Sequence, residues 1–124
     1  MAFANPNHLL HLSPEGRRRL RELEGAHDDI DSSFSESIRV VERAVQRQIS
    51  HQHLTQEQFD ALVSFTFNTG ASGAMLVLRR VDAGDFDGAA DAMERSIHAH
   101  VDGKVVRVSS LAERRREESA PLRS

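Results

Sequence analysis

Residues 54–70 read LTQEQFDALVSFTFNTG, and every local rule applied to them points the same way. Thr55 is an N-cap residue with Gln58 three positions on, the pattern of a capping box, in which each side chain bonds the other residue's backbone N–H. Leu54 and Phe59 stand where a hydrophobic staple closes over that cap. Behind it, Phe59, Ala61, Leu62, Val63, Phe65 and Phe67 place apolar groups on nearly every side, which predicts a helix over 55–69 buried all round. Gly70 supplies a left-handed C-cap.

Outward from this helix the chain reads as further helices separated by short polar turns, without convincing strand alternation. Upstream, Ser13-Pro14-Glu15 is a helix start, with Ser as N-cap and Pro at the first helical position. Leu20 and Leu23 form a thin apolar stripe, and Gly25 is a stop. Ser33 and Glu36 make a second capping box, behind which Phe34, Ile38, Val41, Val45 and Ile49 recur at helical spacing. Downstream, a helix is expected over 72–83, ending at Gly84, with Met75, Leu76 and Val81 inward. Asp85 caps the next, where Phe86, Ala89, Ala90, Met93 and Ile97 form a stripe. Asp102-Gly103 is a turn, and 105–108 is a short apolar run of undecided type. Ser110 and Glu113 suggest a last capping box, leading into the arginine run 114–116.

Composition narrows the function. A chain of 124 residues is one domain with a single core, with residues 1–12 and 119–124 expected as loose ends. Its 39% hydrophobic and 28% charged content is that of a soluble globular protein. The formal charge of −3 argues against a nucleic-acid binder, which needs many phosphate-neutralising cations. Without cysteine, disulfides and thiolate metal sites are excluded. The start, MAFANPNHLLHL, has neither a basic n-region nor a long apolar run, so no signal peptide or membrane anchor is expected, and synthesis is expected in the cytoplasm. The chain has no Trp or Tyr and six Phe, few aromatic faces on which a sugar could stack.

The central helix closely resembles that of the phage-type lysozymes (endolysins, glycoside hydrolase family 24), whose pattern there is L-T-x-x-Q-F-D-A-L-V-S-F-x-F-N-x-G. Further stretches share the resemblance. LRRVDAGDFDGAA (78–90) is similar to L-L-x-x-[LV]-N-x-G-D-[YF]-x-G-A-A. Gly103-Lys104-Val105 with Leu111 and Arg114, Arg115 and Arg116 resembles the terminal G-K-V…L-V-R-R-R-x-x-E. SPEGRRRLRELEG (13–25) resembles the first helix, S-x-x-G-x-x-x-I-x-x-F-E-G, which puts the family's catalytic acid at Glu24. The resemblance covers most of residues 13–118. It also has gaps: the family's hairpin lobe, Y-x-D-x-x-G-x-x-T-I-G-x-G-H, which brings a catalytic Asp and a water-positioning Thr, has no counterpart. AHDDIDSSF follows Gly25 instead. Ser96 stands where the family usually has Trp, and the family's C-terminal L-F ending is lost.

Glycoside hydrolysis needs an acid and, across the scissile bond, a base or nucleophile. Taken by itself, Glu24 at a helix end reads as a solvated surface residue; the resemblance makes it the acid. Asp28, Asp29 and Asp31 follow closely, but inverting chemistry needs carboxyls about 6.5–9.5 Å apart with water between them, and a polar acidic turn joining the first two helices accounts for the three equally. Asn68 is either a helix C-cap or, as the resemblance implies, a cleft residue that contacts substrate. The run 114–116 reads as a solvated face, with a partner for Glu24 among its members as the alternative. The run 17–19 reads as salt-bridged to Glu22 and Glu24. His51-x-His53 and His98-x-His100 lack a ligand spacing that would place both rings on one side of a helix.

The expectation is therefore an all-α fold, a compact helical bundle resembling the helical lobe of a phage-type lysozyme, without metal or cofactor. The resemblance implies a peptidoglycan hydrolase cleaving between N-acetylmuramic acid and N-acetylglucosamine at the cell wall, impaired by the missing lobe. A non-catalytic module that binds peptidoglycan or a protein partner, and a prophage remnant, are the alternatives.

Overall fold

A computed structural model of the chain describes residues 5–25 and 31–123. In chain order these form α1 (Pro14–Glu24), α2 (Asp31–Gln48), α3 (Gln56–Asp82), α4 (Phe86–Arg95), a hairpin of β1 (His98–Val101) and β2 (Lys104–Arg107), α5 (Ser109–Ser119) and a 3₁₀ turn, Ala120–Leu122. The architecture is the helical one expected, with one addition. The undecided run at 105–108 belongs largely to an antiparallel two-stranded ribbon that pairs His98 with Arg107 and Val101 with Lys104. Asp102 and Gly103 make its turn, both at positive φ (51° and 77°), as a type I′ connection requires.

The capping box at the start of α3 is present in full: Thr55 N–H donates to Gln58 Oε1 at 2.9 Å, and Gln58 N–H to Thr55 Oγ1 at 3.1 Å. Phe59, Leu62, Val63 and Phe65 are wholly buried in a core shared with Val45 of α2, with Ile49 just beyond it and with Ala89, Ala90 and Met93 of α4; Ala61 is also buried. By length and composition α3 could cross a bilayer, but these side chains are spent on the interior of the domain.

Gly70 is not the left-handed cap expected. Its φ of 83° and ψ of 159° fall in a region open essentially to glycine alone, and the helix resumes beyond it. The break rotates the second half of α3, so that Ala74, Val77, Leu78 and Val81 face the core while Leu76, expected inward, is 55% exposed. That half closes on Gly84 in a Schellman arrangement, with Asp85 N–H to Arg80 O at 2.8 Å and Gly84 N–H to Val81 O at 2.9 Å. Asp85 then caps α4 through Gly88 N–H. Two other expected capping boxes do not form. Ser33 lies inside α2, which starts at Asp31, and α5 starts at Ser109 from Val108, which has no capping side chain.

Of the segments expected as loose, the described residues 5–12 and 119–123 make contacts with the rest of the domain, while residues 1–4 and 124 lie outside the described residues. Asn7 is fully buried, donating to Ile49 O and Gln52 O, both at 2.7 Å, and accepting from Leu54 N–H at 2.9 Å. Leu10 and Leu12 pack against the core. At the other end Leu122 is buried in the core, and Arg123 pairs with Asp91 and Glu94. The loop between α2 and α3 is tied back by Asp82, which accepts from Ser50 and His51 N–H and from the His51 ring, each at 2.9 Å. Burial pulls the Asp82 carboxyl upward, but the His51 and Ser50 donors outweigh it and hold it below the ordinary value.

Two substitutions test this account of α3. Phe59→Ala should cost about 3–5 kcal/mol, because the vacated volume cannot refill, and lower Tm by roughly 10–20 °C. Gly70→Ala meets no neighbour within 4 Å, yet it should cost about 1–3 kcal/mol through backbone strain alone. Thermal unfolding of the two variants reads both; an unchanged Tm for Gly70→Ala would mean that the break at 70 relaxes freely.

Candidate active site at the end of the first helix

The first helix is fixed onto α3 by its start. Ser13 caps α1 through Gly16 N–H at 2.9 Å, and its own N–H and hydroxyl donate to the Asp60 carboxylate. Gly16 is the residue this approach permits, since a Cβ there would stand 2.7 Å from Asp60. Leu20 is wholly buried with Phe34 and Ile38 in a second, smaller cluster that Leu12 and Phe67 pack against. Phe34 meets Phe67 edge-on at 5.5 Å, and the guanidinium carbons of Arg17 and Arg21 lie 5.7 and 5.5 Å from its ring centre. These contacts set where α1 ends, at Glu24, with Gly25 as its left-handed cap.

The arginine run is not the solvated face it reads as. Arg114 and Arg115 are 7% and 1% exposed, and Glu118 is 5% exposed. Only Arg116 of the run is exposed. Arg114 Nη1 donates to Glu24 Oε2 at 2.6 Å, its Nε to Glu118 Oε2 at 3.1 Å, and its Nη2 to Ser64 O at 3.2 Å. The Ser64 hydroxyl donates to Glu118 Oε2 at 2.5 Å. Arg115 Nη1 donates to Glu118 Oε1 at 2.6 Å, its Nε to Ser96 O at 2.9 Å, and its Nη2 to Asn68 Oδ1. Its guanidinium lies 4.9 Å from the centre of the Phe65 ring. Glu24 and Asn68 therefore belong to one hydrogen-bonded network, joined through Arg114, Glu118 and Arg115.

Among the residues picked from sequence, then, Glu24 and Asn68 are brought together. The Glu24 side chain is 23% exposed, with one oxygen fixed by Arg114. Asn68 is exposed and held by Arg115. Asp28 and Asp29 lie outside the described residues, and Asp31 opens α2. The run 17–19 does not pair with Glu24: Arg19 reaches Glu22 and Glu117, while Arg17 donates to Ser35. His51 is engaged by Asp82. A groove of about 570 Å³ runs along α1 beside α3 and α5 with Ser64 and Glu118 in its wall, but neither Glu24 nor Asn68 lines it. Sequence reading missed Glu118 and Ser64. The i,i+3 and i,i+4 spacing of Glu118 from Arg115 and Arg114 was the available signal.

Because Arg115 serves an ion pair, the Ser96 carbonyl, Asn68 and an aromatic face at once, Arg115→Ala should destabilise the protein by about 3–5 kcal/mol, the range for breaking a buried pair. Chemical denaturation measures it. A loss under about 1 kcal/mol, small beside that range, would show that α5 docks without this network.

Comparison with known proteins accords with this geometry. The phage lysozyme family model matches residues 19–118. An endolysin of Acyrthosiphon pisum secondary endosymbiont phage 1 is 34% identical over 73 residues, 57% of this chain and 50% of the relative, so the chain spans about half the length of that curated relative. The muramidase domain of SpmX from Asticaccaulis excentricus superimposes with a TM-score of 0.79 at 27% identity, covering 93% of this chain and 99% of that one. An endolysin from Escherichia coli O157:H7 phage FAHEc1 shares the fold, with a TM-score of 0.82 at 23% identity over 92% of this chain and 94% of its own. With the family model spanning the central helix, both arginines and Glu24, the chain belongs to the phage lysozyme family.

Proposed function

We propose that the chain is a peptidoglycan glycosidase of the muramidase type, acting at the cell wall on the bond between N-acetylmuramic acid and N-acetylglucosamine, with Glu24 as general acid. The observation that carries this reading is the Glu24 carboxyl at the end of α1, fixed by Arg114 in the same network as Asn68. Protonated Glu24 donates to the glycosidic oxygen as the bond to the sugar breaks and positive charge develops on the ring. Asn68 contacts the glycan from the exposed end of the first half of α3. A water then completes the hydrolysis. The names of the relatives, endolysin and muramidase domain, support the same substrate class.

The proposal includes a low rate. Residues 26–30 are all that separates Gly25 from α2, too few for the family's hairpin lobe, so no base and no water-positioning Thr is assigned. General acid catalysis by itself contributes about 10²–10⁴-fold; the rest comes from holding substrate and water in place. With no Trp or Tyr, and with Phe34 and Phe67 turned onto each other, little stacking energy is left to compensate. The same shortness favours the second reading, a lysozyme-fold module that binds peptidoglycan or a protein partner without cleaving it.

Release of reducing ends from purified glycan strands decides between them. The parent protein should cleave slowly, and Glu24→Gln should reduce the rate by at least about 10²-fold. Equal, near-zero release by both proteins, with retention on insoluble peptidoglycan, would establish the binding module instead.

A further inference from the structure

The network behind Glu24 contains a group the proposed reaction has not used. Glu118 is 5% exposed and accepts from both buried guanidinium groups and from the Ser64 hydroxyl. A general acid must hold a proton before it donates one. A neighbouring guanidinium favours the charged form of a carboxyl, and Arg114 is bonded to Glu24. Two such cations stand in succession here.

We infer that Glu118 is a positioning residue for the proposed glycosidase reaction: its buried carboxylate takes up the charge of Arg114 and Arg115, and so lets Glu24 hold the proton it donates. The inference rests on the reading of Glu24 as the acid. With all four groups ionised the network is neutral, two arginines against two glutamates, and protonating Glu24 raises it to +1. Without the Glu118 charge the same protonation runs from +1 to +2, against a larger opposing potential. Glu118 also fixes the direction of both arginines. Its Oε2 holds Arg114 with Nη1 aimed at Glu24, and its Oε1 holds Arg115 with Nη2 aimed at Asn68.

Among the described residues, the charged groups that follow are engaged elsewhere or exposed. Glu117 of α5 is bonded to Arg19 at 2.6 Å, and Glu22 of α1 lies 3.5 Å from the same arginine. Arg21 lies over the Phe34 ring. Between Asp60 and Arg79, α3 carries no ionisable residue. On α2, Glu36 and Arg39 are exposed. Asp28 and Asp29 lie outside the described residues, and Asp31 is described only as the first residue of α2.

Titration of the Glu24 side-chain carboxyl by carbon-detected NMR tests the inference, with the resonance assigned by its disappearance in Glu24→Gln. Glu118→Gln keeps the shape and removes the charge, and should lower the Glu24 midpoint by about 1 pH unit or more. Arg115→Met removes a cation and leaves Glu118, and should raise the midpoint by a similar amount. A folded Glu118→Gln protein with an unmoved midpoint would overturn the inference. If that variant does not fold, an unmoved midpoint in Arg115→Met does the same. Glycan cleavage is followed in parallel. Where the parent cleaves, Glu118→Gln should shift the alkaline limb of its pH profile downward by the amount the NMR reads, and an unshifted limb counts against the inference. Midpoints that move as expected without cleavage by the parent would sink the glycosidase reading and leave the charge balance at Glu118 standing.

Discussion

Two guanidinium groups lie almost wholly out of water in this protein, and their requirements dictate the placement of α1, α4 and α5 around α3. An unpaired buried ion costs several kcal/mol, so each N–H of Arg114 and Arg115 must find an oxygen. Those oxygens come from the end of α1, the middle of α3, the residue after α4, and α5 itself. The sequence of α5, SSLAERRREES, has no apolar stripe with which to dock. Among its described side chains, the buried ones are Arg114, Arg115, Glu118 and Ser119. What seats the helix is therefore directional polar contact, with the Phe65 ring under Arg115 as the apolar floor. Such contacts are demanding about angle in a way that apolar packing is not, and they fix the carboxyl of Glu24 as a by-product of docking a helix.

How far the sequence disclosed this depended on whether the determining residues were neighbours. The N-caps of α1, α3 and α4 were legible because Ser13, Thr55 and Asp85 satisfy donors three residues away. The apolar periodicity of α2 was legible for the same reason. Gly70 was legible as a punctuation mark but not as a break that α3 survives, since its ψ is decided by how the second half packs on α4. The charged network was legible only as an alternative, a partner for Glu24 somewhere in 114–116, and its other contacts were not legible. Arg114 and Glu24 are 90 residues apart, Arg114 and Ser64 are 50, and Arg115 and Asn68 are 47. A run of three arginines looks solvated until the fold supplies distant acceptors for two of them. Asn7 misled in the same manner, a polar residue near a chain end whose amide bridges three backbone groups across 42 to 47 residues.

The apolar interior divides in a way that matters for the site. The larger cluster draws on α2, α3, α4 and Leu122, and includes no residue of α1 or α5. The smaller one joins Leu20 of α1 to Phe34 and Ile38 of α2, with Phe67 packed against it. Successive residues of α3 serve different masters: Phe65 belongs to the larger core and carries Arg115, Phe67 meets the smaller cluster, and Asn68 faces outward. The site is thus assembled at the seam between the two clusters, from the helix that belongs to both.

This division separates what keeps the chain folded from what the site needs. Among the described residues, nothing in the larger cluster comes from α1, so the core does not depend on where α1 ends. The ionic network is a different matter. Replacing a buried ion pair with apolar groups of similar volume is often neutral or stabilising, so four charges at the end of α1 are a poor choice if stability is the only demand. They do fix the orientation of the Glu24 carboxyl through Arg114, in a network that also holds the exposed Asn68 amide through Arg115. Every member of the network belongs to α1, α3 or α5, or directly follows α4, so docking α5 and orienting Glu24 are one and the same requirement.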